Sequence, residues 1–457
     1  MNKLIGITRS FSSSASLNAV KTVTVVGGGL MGSGIAQVAA QAGQNVTIID
    51  VNSELLEKAQ KSIQTNLTRV GKKLYKGDEA KIANFVKESA ERIRVSTKLE
   101  DGADVDLIVE AIVEKLDAKQ ELFNKLDVLS PPRTIFATNT SCISVNAIGA
   151  GIQRKDRYGG LHFFNPVPVM RLLEVIKCDN TSEETYQTMM EWGKSVGKTC
   201  ITCKDTPGFV VNRLLGPYSA EAIRMLERGD ATKEDIDIGM KLGAGLPMGP
   251  FELADYTGLD TNRLAQQALY SMTKNEVFAP IELLEKMVAE GKYGIKSGEG
   301  FYKYNKNRIH ISFISSPCEK RPSLSTGKRA DGSSNDKQLL PPMDTRNTKS
   351  VTYECVVGLL GVRSLRVVGE SGIGKIGKGG DASAEDIDVA IKLGAGYPMG
   401  PLELADFTGL DTKKFVLGVM HEKTGLPAFE PIALLNKLVS EGKFGRKTGE
   451  GFYKYDK

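Results

Sequence analysis

Only three histidines occur in the 457 residues, His162, His310 and His421, and only His162 stands among the marks of a site. It lies in the extended stretch Gly159-Gly-Leu-His-Phe-Phe, which runs into Asn165-Pro-Val-Pro168 and is followed by the apolar run Leu172-Leu-Glu-Val-Ile176. If the two stretches return antiparallel, Glu174 faces His162. A carboxylate against one ring nitrogen fixes the tautomer and leaves the other nitrogen to take a proton, the arrangement of a general base with its orienter. The competing reading is a structural histidine packed beside aromatics.

A second cluster lies near the start. Thr22-Val-Thr-Val-Val26 is a β-branched strand running into Gly27-Gly-Gly29-Leu-Met-Gly32, and an apolar helical stretch follows over 35–42. Glycines at these spacings, between a strand and a helix, suit a dinucleotide. Gly27 allows the tight turn, Gly29 lets the backbone approach a pyrophosphate, and Gly32 lets helix and strand pack closely, with the helix N-terminus facing the phosphate charge. The next strand, Val46-Thr-Ile-Ile49, ends in Asp50, a carboxylate that accepts from ribose hydroxyls and repels a 2′-phosphate, so NAD is favoured over NADP.

These residues need a scaffold of alternating elements. A long helical region over 53–91, strand-like 105–109, a helix near 115–129 and strand-like 134–137 predict a doubly wound parallel sheet. Glu110, Glu114 and Asn139-Thr140-Ser141 fall at the carboxyl ends of its strands, where functional side chains gather, although Glu114 and Ser141 are also residue types that cap helices. Asp205-Thr-Pro207 reads as a helix start with proline at N1.

Composition narrows the classes. With 41% hydrophobic and 25% charged residues and no apolar run long enough to span a bilayer, a membrane-spanning chain is not expected. The net charge of +5 is local, because residues 305–380 carry 13 basic and 6 acidic residues, and no nucleic-acid partner is expected. Six cysteines make no dense disulfide framework, and Cys200-x-x-Cys203 lacks the second ligand pair of a zinc site, so no metal is expected and the two thiols read as residues of a strand. Residues 1–20 hold five serines, Lys3, Arg9 and no acid, the composition of a mitochondrial transit peptide.

The C-terminal part contains a repeat. Asp230–Tyr304 aligns without a gap on Asp381–Tyr455, with about 44 of 75 positions identical. Between the copies, 305–380 shows no sustained period and reads as a disordered spacer. Its Gly372-x-x-x-x-Gly377-Lys378 has the outline of a phosphate loop but fails at Gly379, where Ser or Thr should hold a metal.

Taken together, GGGLMGSGIAQ at 27–37, NTS at 139–141, HFFNPVPVMRLLEV at 162–175, DTPGFVVNR at 205–213, LGAGLPMGPFELAD and GEGFYKY closely resemble the short-chain L-3-hydroxyacyl-CoA dehydrogenases of mitochondrial β-oxidation. The resemblance covers about 21–304 and the repeat. It implies a Rossmann-type α/β domain over 21–205 and an all-α C-terminal domain over 206–304, partly duplicated at 381–457. It also implies NAD-linked oxidation of an acyl-CoA substrate in the mitochondrial matrix, and a homodimer through the helical domain. By motif, His162 is similar to the family's base and Glu174 to its partner, while Ser141 and Asn212 resemble the residues that bind the reacting part of the substrate. Asp50, Glu114, Lys119, Asn165 and Lys296 resemble cofactor contacts, and Lys73 a CoA contact. Asn66 stands where the resemblance leads one to expect serine. The second copy lacks a counterpart of Gly208-Phe-Val-Val-Asn-Arg-Leu-Leu215, so it reads as incomplete. The alternative to an enzyme is a noncatalytic NAD-binding or interaction protein in which the extra copy blocks pairing or supplies a surface.

Overall fold

The computed structural model describes residues 19–304, 381–425 and 429–456. The leader up to Asn18, the spacer with its phosphate-loop outline, and His310, Cys318 and Cys355 lie outside the described residues. The chain divides into two compact units, one of Met1–Arg213 with Val367–Ala395, the other of Leu214–Arg366 with Gly396–Lys457.

The first unit is built on one eight-stranded sheet in the order β3-β2-β1-β4-β5-β6-β7-β8. Its strands are β1 (Thr22–Val26), β2 (Asn45–Ile49), β3 (Ile93–Ser96), β4 (Leu107–Glu110), β5 (Ile135–Thr138), β6 (Tyr158–Phe163), β7 (Leu172–Lys177) and β8 (Thr199–Lys204). β1 to β6 run parallel, β7 returns antiparallel to β6, and β8 is parallel to β7. The strands are short and rich in Val and Ile because both faces are covered, which removes the need for alternation. Val23, Val25, Ile48, Val109 and Ala137 form one core with Ile35, Ala36 and Ala39 of α1 (Leu30–Gln41).

The helical region expected over 53–91 is two helices, α2 (Ser53–Tyr75) and α3 (Glu79–Glu91). Lys76 (φ 44°) and Gly77 (φ 95°) take left-handed conformations between them, and the Asp78 carboxylate caps α3 by accepting from the Lys81 N–H. The break falls at Lys76-Gly-Asp78, a polar stretch that interrupts the apolar face. α4 (Leu116–Leu129) follows β4, α5 (Val145–Ile148) follows β5, and α6 (Glu183–Ser195) joins β7 to β8. α7 (Val211–Arg228) begins four residues later than the expected proline start. Asp205 does not cap it, because its carboxylate accepts from Ser144 Oγ (2.7 Å) and the N–H groups of Val145 (2.8 Å) and Asn146 (2.7 Å), capping α5 instead.

The second unit is helical, with α8 (Lys233–Gly243), α9 (Pro250–Thr257), α10 (Leu259–Thr273) and α11 (Glu282–Ala289). The second copy of the repeat forms α12 (Ala384–Ala395), α13 (Pro401–Thr408), α14 (Leu410–Thr424) and α15 (Ala433–Ser440). Of these, α12 belongs to the sheet unit. The two copies are held by the same device: buried Asp255 accepts from the Phe301 and Tyr302 N–H groups and the Tyr304 hydroxyl, and buried Asp406 from Phe452, Tyr453 and Tyr455. No described helix is long and apolar enough to cross a membrane.

Candidate active site

The antiparallel hairpin of β6 and β7 places His162 directly opposite Glu174. Nδ1 of His162 lies 2.6 Å from Oε2 of Glu174, and the two residues are 5% and 0% exposed. A carboxylate only accepts, so the proton sits on Nδ1 and Nε2 is the basic nitrogen. The imidazole ring packs against Phe164 (4.5 Å between centroids) and Phe209 (5.5 Å), which fixes its tilt in a largely apolar surround.

Glu174 has a second task. Its other oxygen, Oε1, accepts from the backbone N–H groups of Val210 (3.1 Å) and Val211 (3.0 Å), at the start of α7. One buried carboxylate therefore orients the imidazole and anchors the helix that carries Asn212. Asn212 Nδ2 donates to the Ser141 carbonyl at 3.2 Å, so these two predicted residues meet.

Ser141 in turn borders an acidic network at the ends of β4 and β5. Glu114 Oε1 accepts from Thr140 Oγ1 (2.5 Å), the Ser141 N–H (3.0 Å) and the Cys142 N–H (3.3 Å). Lys119 does not lie on a solvated helix face. It is 1% exposed, with Nζ 2.5 Å from Glu110 and 3.1 Å from Glu114. Burial pushes the Glu114 carboxyl up, but the Lys119 ammonium, the Thr140 hydroxyl and the Ser141 N–H outweigh it and hold the group below the usual carboxylate range. Thr138 completes the network by donating to Glu110 at 2.6 Å. Glu110, Thr138 and Thr140 were not read as a connected set because nothing local in the sequence links strands 28 residues apart.

The glycine turn has the shape a dinucleotide requires. Gly27 has φ 113°, and a Cβ there would meet the Ala111 carbonyl; a Cβ on Gly32 would run into the Gly27 carbonyl. At Gly29 a Cβ would meet nothing within 4 Å, so the space beside it is open for a ligand. Gly29 caps α1 without a side-chain bond, and the first turn holds no acid, so the helix presents uncapped N–H groups to an anion. Asp50 Oδ2 accepts from the Gly28 N–H at 2.7 Å, which sets the carboxylate beside the turn. The residues present fit NAD.

Lys73 is exposed in the last turn of α2. Asn165 is exposed on the β6–β7 loop, whose carbonyls at Val167 and Met170 accept from the buried Lys198 ammonium. Lys296 lies in the second unit, where Nζ pairs with Asp260 at 2.5 Å, and Lys447 repeats the pair with Asp411. In β8, burial pushes the Cys200 thiol up to about 11 and Cys203 well above its ordinary value, which keeps both protonated and unreactive. Among the described residues no group of three or more His, Cys, Asp or Glu side chains could hold a metal.

Family models match this framework over nearly its whole length: the 3-hydroxyacyl-CoA dehydrogenase NAD binding domain over 22–206, and the C-terminal domain of the same family over 208–304 and again over 368–455. The chain belongs to the 3-hydroxyacyl-CoA dehydrogenase family. It is 52% identical over 298 residues to a probable 3-hydroxyacyl-CoA dehydrogenase of Caenorhabditis elegans, covering 65% of this chain and 96% of that protein. It is 51% identical over 307 residues to the mitochondrial hydroxyacyl-coenzyme A dehydrogenase of Homo sapiens, with 65% and 97% covered. Among solved structures, a 3-hydroxybutyryl-CoA dehydrogenase of Escherichia coli superposes with a TM-score of 0.76 at 30% identity. That match covers 93% of this chain and 99% of the other, so it extends into the second copy of the repeat. Membership makes the chain an NAD-dependent oxidoreductase.

Proposed function

We propose that the chain oxidises an L-3-hydroxyacyl-CoA to the 3-ketoacyl-CoA in fatty-acid β-oxidation, with His162 as the base. The observation that carries this reading is the hairpin pair, in which Glu174 holds Nδ1 and leaves Nε2 free to accept. Nε2 takes the proton of the substrate hydroxyl as the C3–O bond becomes a carbonyl, and the Glu174 carboxylate stabilises the imidazolium that results. NAD, when bound, supplies the acceptor for the hydride that leaves C3. The Ser141 hydroxyl and the Asn212 amide position the reacting oxygen. Gly27, Gly29 and Gly32 shape the pyrophosphate turn, and Asp50 takes the ribose hydroxyls. Glu114 with Lys119 supports the nicotinamide end, Asn165 is a further cofactor contact, and Lys73 meets the CoA phosphates.

The organisation that goes with this reading is a transit peptide at 1–20, an NAD-binding domain at 21–205, a helical domain at 206–304, a spacer at 305–380 and a second helical copy at 381–457. The protein then works in the mitochondrial matrix, in keeping with the names of its relatives. NADH oxidation with acetoacetyl-CoA tests the assignment. His162→Ala is expected to lose at least about 10³-fold in kcat while still binding NADH. Wild-type protein that binds NADH but turns nothing over would leave only the noncatalytic reading.

A further inference from the structure

A buried cation without a counter-ion stands at the entry to β8. Lys198, the residue before that strand, is 8% exposed, and no described carboxylate acts on it. Its ammonium donates to the carbonyls of Val167 and Met170, the second at 2.8 Å, and lies 6.0 Å from the centre of the Phe163 ring. Taking an ammonium out of water is costly, and an apolar side chain would fill the same space without that cost. The charge at this spot therefore points to what it holds.

Both acceptors belong to the loop 164–171 that joins β6 to β7. The loop begins with Phe164, whose ring packs on the His162 imidazole, and continues through Asn165. It turns at Pro166, whose carbonyl accepts from the Val169 and Met170 N–H groups at 2.9 Å, and ends where Leu172 starts the strand of Glu174. Its other side meets α1: a Cβ on Gly34 would stand 2.8 Å from Val167 Cβ, so Val167 packs against the helix that follows the glycine turn. Lys198 is itself fixed, because its N–H donates to the Gly193 carbonyl at 3.0 Å and the Thr199 N–H donates to the Arg171 carbonyl at 2.7 Å. The loop is gripped by α1 on one side and by Lys198 at two points of its turn.

We propose that Lys198 is a positioning residue for the dehydrogenase reaction: its ammonium clamps the β6–β7 loop, so that Phe164 holds the His162 ring at its working tilt and Asn165 is presented to the cofactor. The kinetic part rests on the dehydrogenase reading, whereas the clamp does not. A neutral amine holds two carbonyls less firmly than an ammonium, because it has one N–H fewer and no charge to assist the bonds. Burial lowers the Lys198 ammonium to about 8. Among the described residues the titratable group acting on it is the Cys200 thiol of β8, itself pushed up to about 11 and so neutral over that range. Gly34 of α1 and Phe163 of β6 carry no charge, Arg171 of the loop is exposed, and Lys194 of α6 is exposed and acts on Cys200. The clamp therefore weakens as pH rises through about 8.

In the oxidising direction the base must be free of its proton, so His162 adds no alkaline limb. With 3-hydroxybutyryl-CoA and NAD, wild-type kcat should fall about threefold between about pH 7 and pH 9.5. Lys198→Met should lower kcat about tenfold at pH 7 and abolish that fall, while Lys194→Met behaves as wild type. Lys198→Arg, whose guanidinium stays charged, should keep kcat within about threefold of wild type at pH 7 and hold it to about pH 9.5. In the cofactor-free protein, the Val169 and Met170 amides should exchange hydrogen about tenfold faster in Lys198→Met than in wild type. A Lys198→Met kcat within about twofold of wild type, an alkaline fall that persists in that variant, or unchanged loop exchange overturns the proposal. Should Lys198→Met fail to fold, Lys198→Arg decides, and a fall at the wild-type pH overturns it. If wild type binds NADH but turns nothing over, the dehydrogenase reading fails, and the exchange rates alone decide the clamp.

Discussion

Glu174 is the residue on which most depends. Replacing it with glutamine keeps an acceptor for the Val210 and Val211 N–H groups but turns an amide N–H toward His162 Nδ1. The imidazole must then carry its proton on Nε2, where it can no longer act as base. Glu174→Gln is therefore expected to reduce kcat by about 10³-fold or more with only a small change in the urea midpoint. A kcat within threefold of wild type would sink the tautomer argument. The pairing of His162 and Glu174 was legible in the sequence because two extended runs joined by a proline-rich loop admit few registers. The burial of Lys119 was not legible. A lysine in an amphipathic helix reads as solvated unless the two carboxylates that enclose it are known to converge, and Glu110 comes from a strand rather than from the helix.

At the level of elements, the sheet could be read from β-branched runs and glycine turns, whereas the helix starts were less visible. Asp205-Thr-Pro207 has the chemistry of an N-cap, yet the carboxylate caps α5, about 60 residues upstream. A capping rule looks only forward along the chain, and here a buried carboxylate two strands away, Glu174, takes over the start of α7. Asp205→Ala should accordingly destabilise the fold by about 1–2 kcal/mol through the loss of the α5 cap. Urea unfolding followed by circular dichroism measures this, and an unchanged midpoint would show that α5 needs no such cap. The short edge strand β3 was missed because four residues carry too little pattern to be read.

Stability of the whole molecule should carry the mark of the acidic network. Glu114 titrates below its ordinary 4.5 in the folded protein, so the unfolded chain binds more protons between the two values. Its contribution is complete above about pH 4.5 and is lost as pH falls through the folded value. Burial raises Asp237, Asp255 and Asp406, which work in the opposite sense, so the difference between variants is the informative quantity. Wild type should be more stable than Glu114→Gln above pH 5, and the urea midpoints should converge toward pH 3; parallel curves would rule out the linkage. The repeat itself was legible at this scale, as a gapless alignment. The surroundings of each copy were not, because the apolar pattern of Ala384–Ala395 carries no record that this helix packs on β7 and β8.

The reciprocal contacts of Gly245 with Pro398 and Gly396 with Pro247 have a consequence for how the enzyme behaves at low abundance. Two halves on separate molecules meet at a rate set by how many of them there are, and come apart when they are scarce. Two halves on one chain see each other at an effective concentration set by the length and stiffness of the connection, in the millimolar range for a short flexible one and falling roughly as the −3/2 power of length for longer ones. The meeting of the two copies on one chain then does not depend on how much protein a compartment holds.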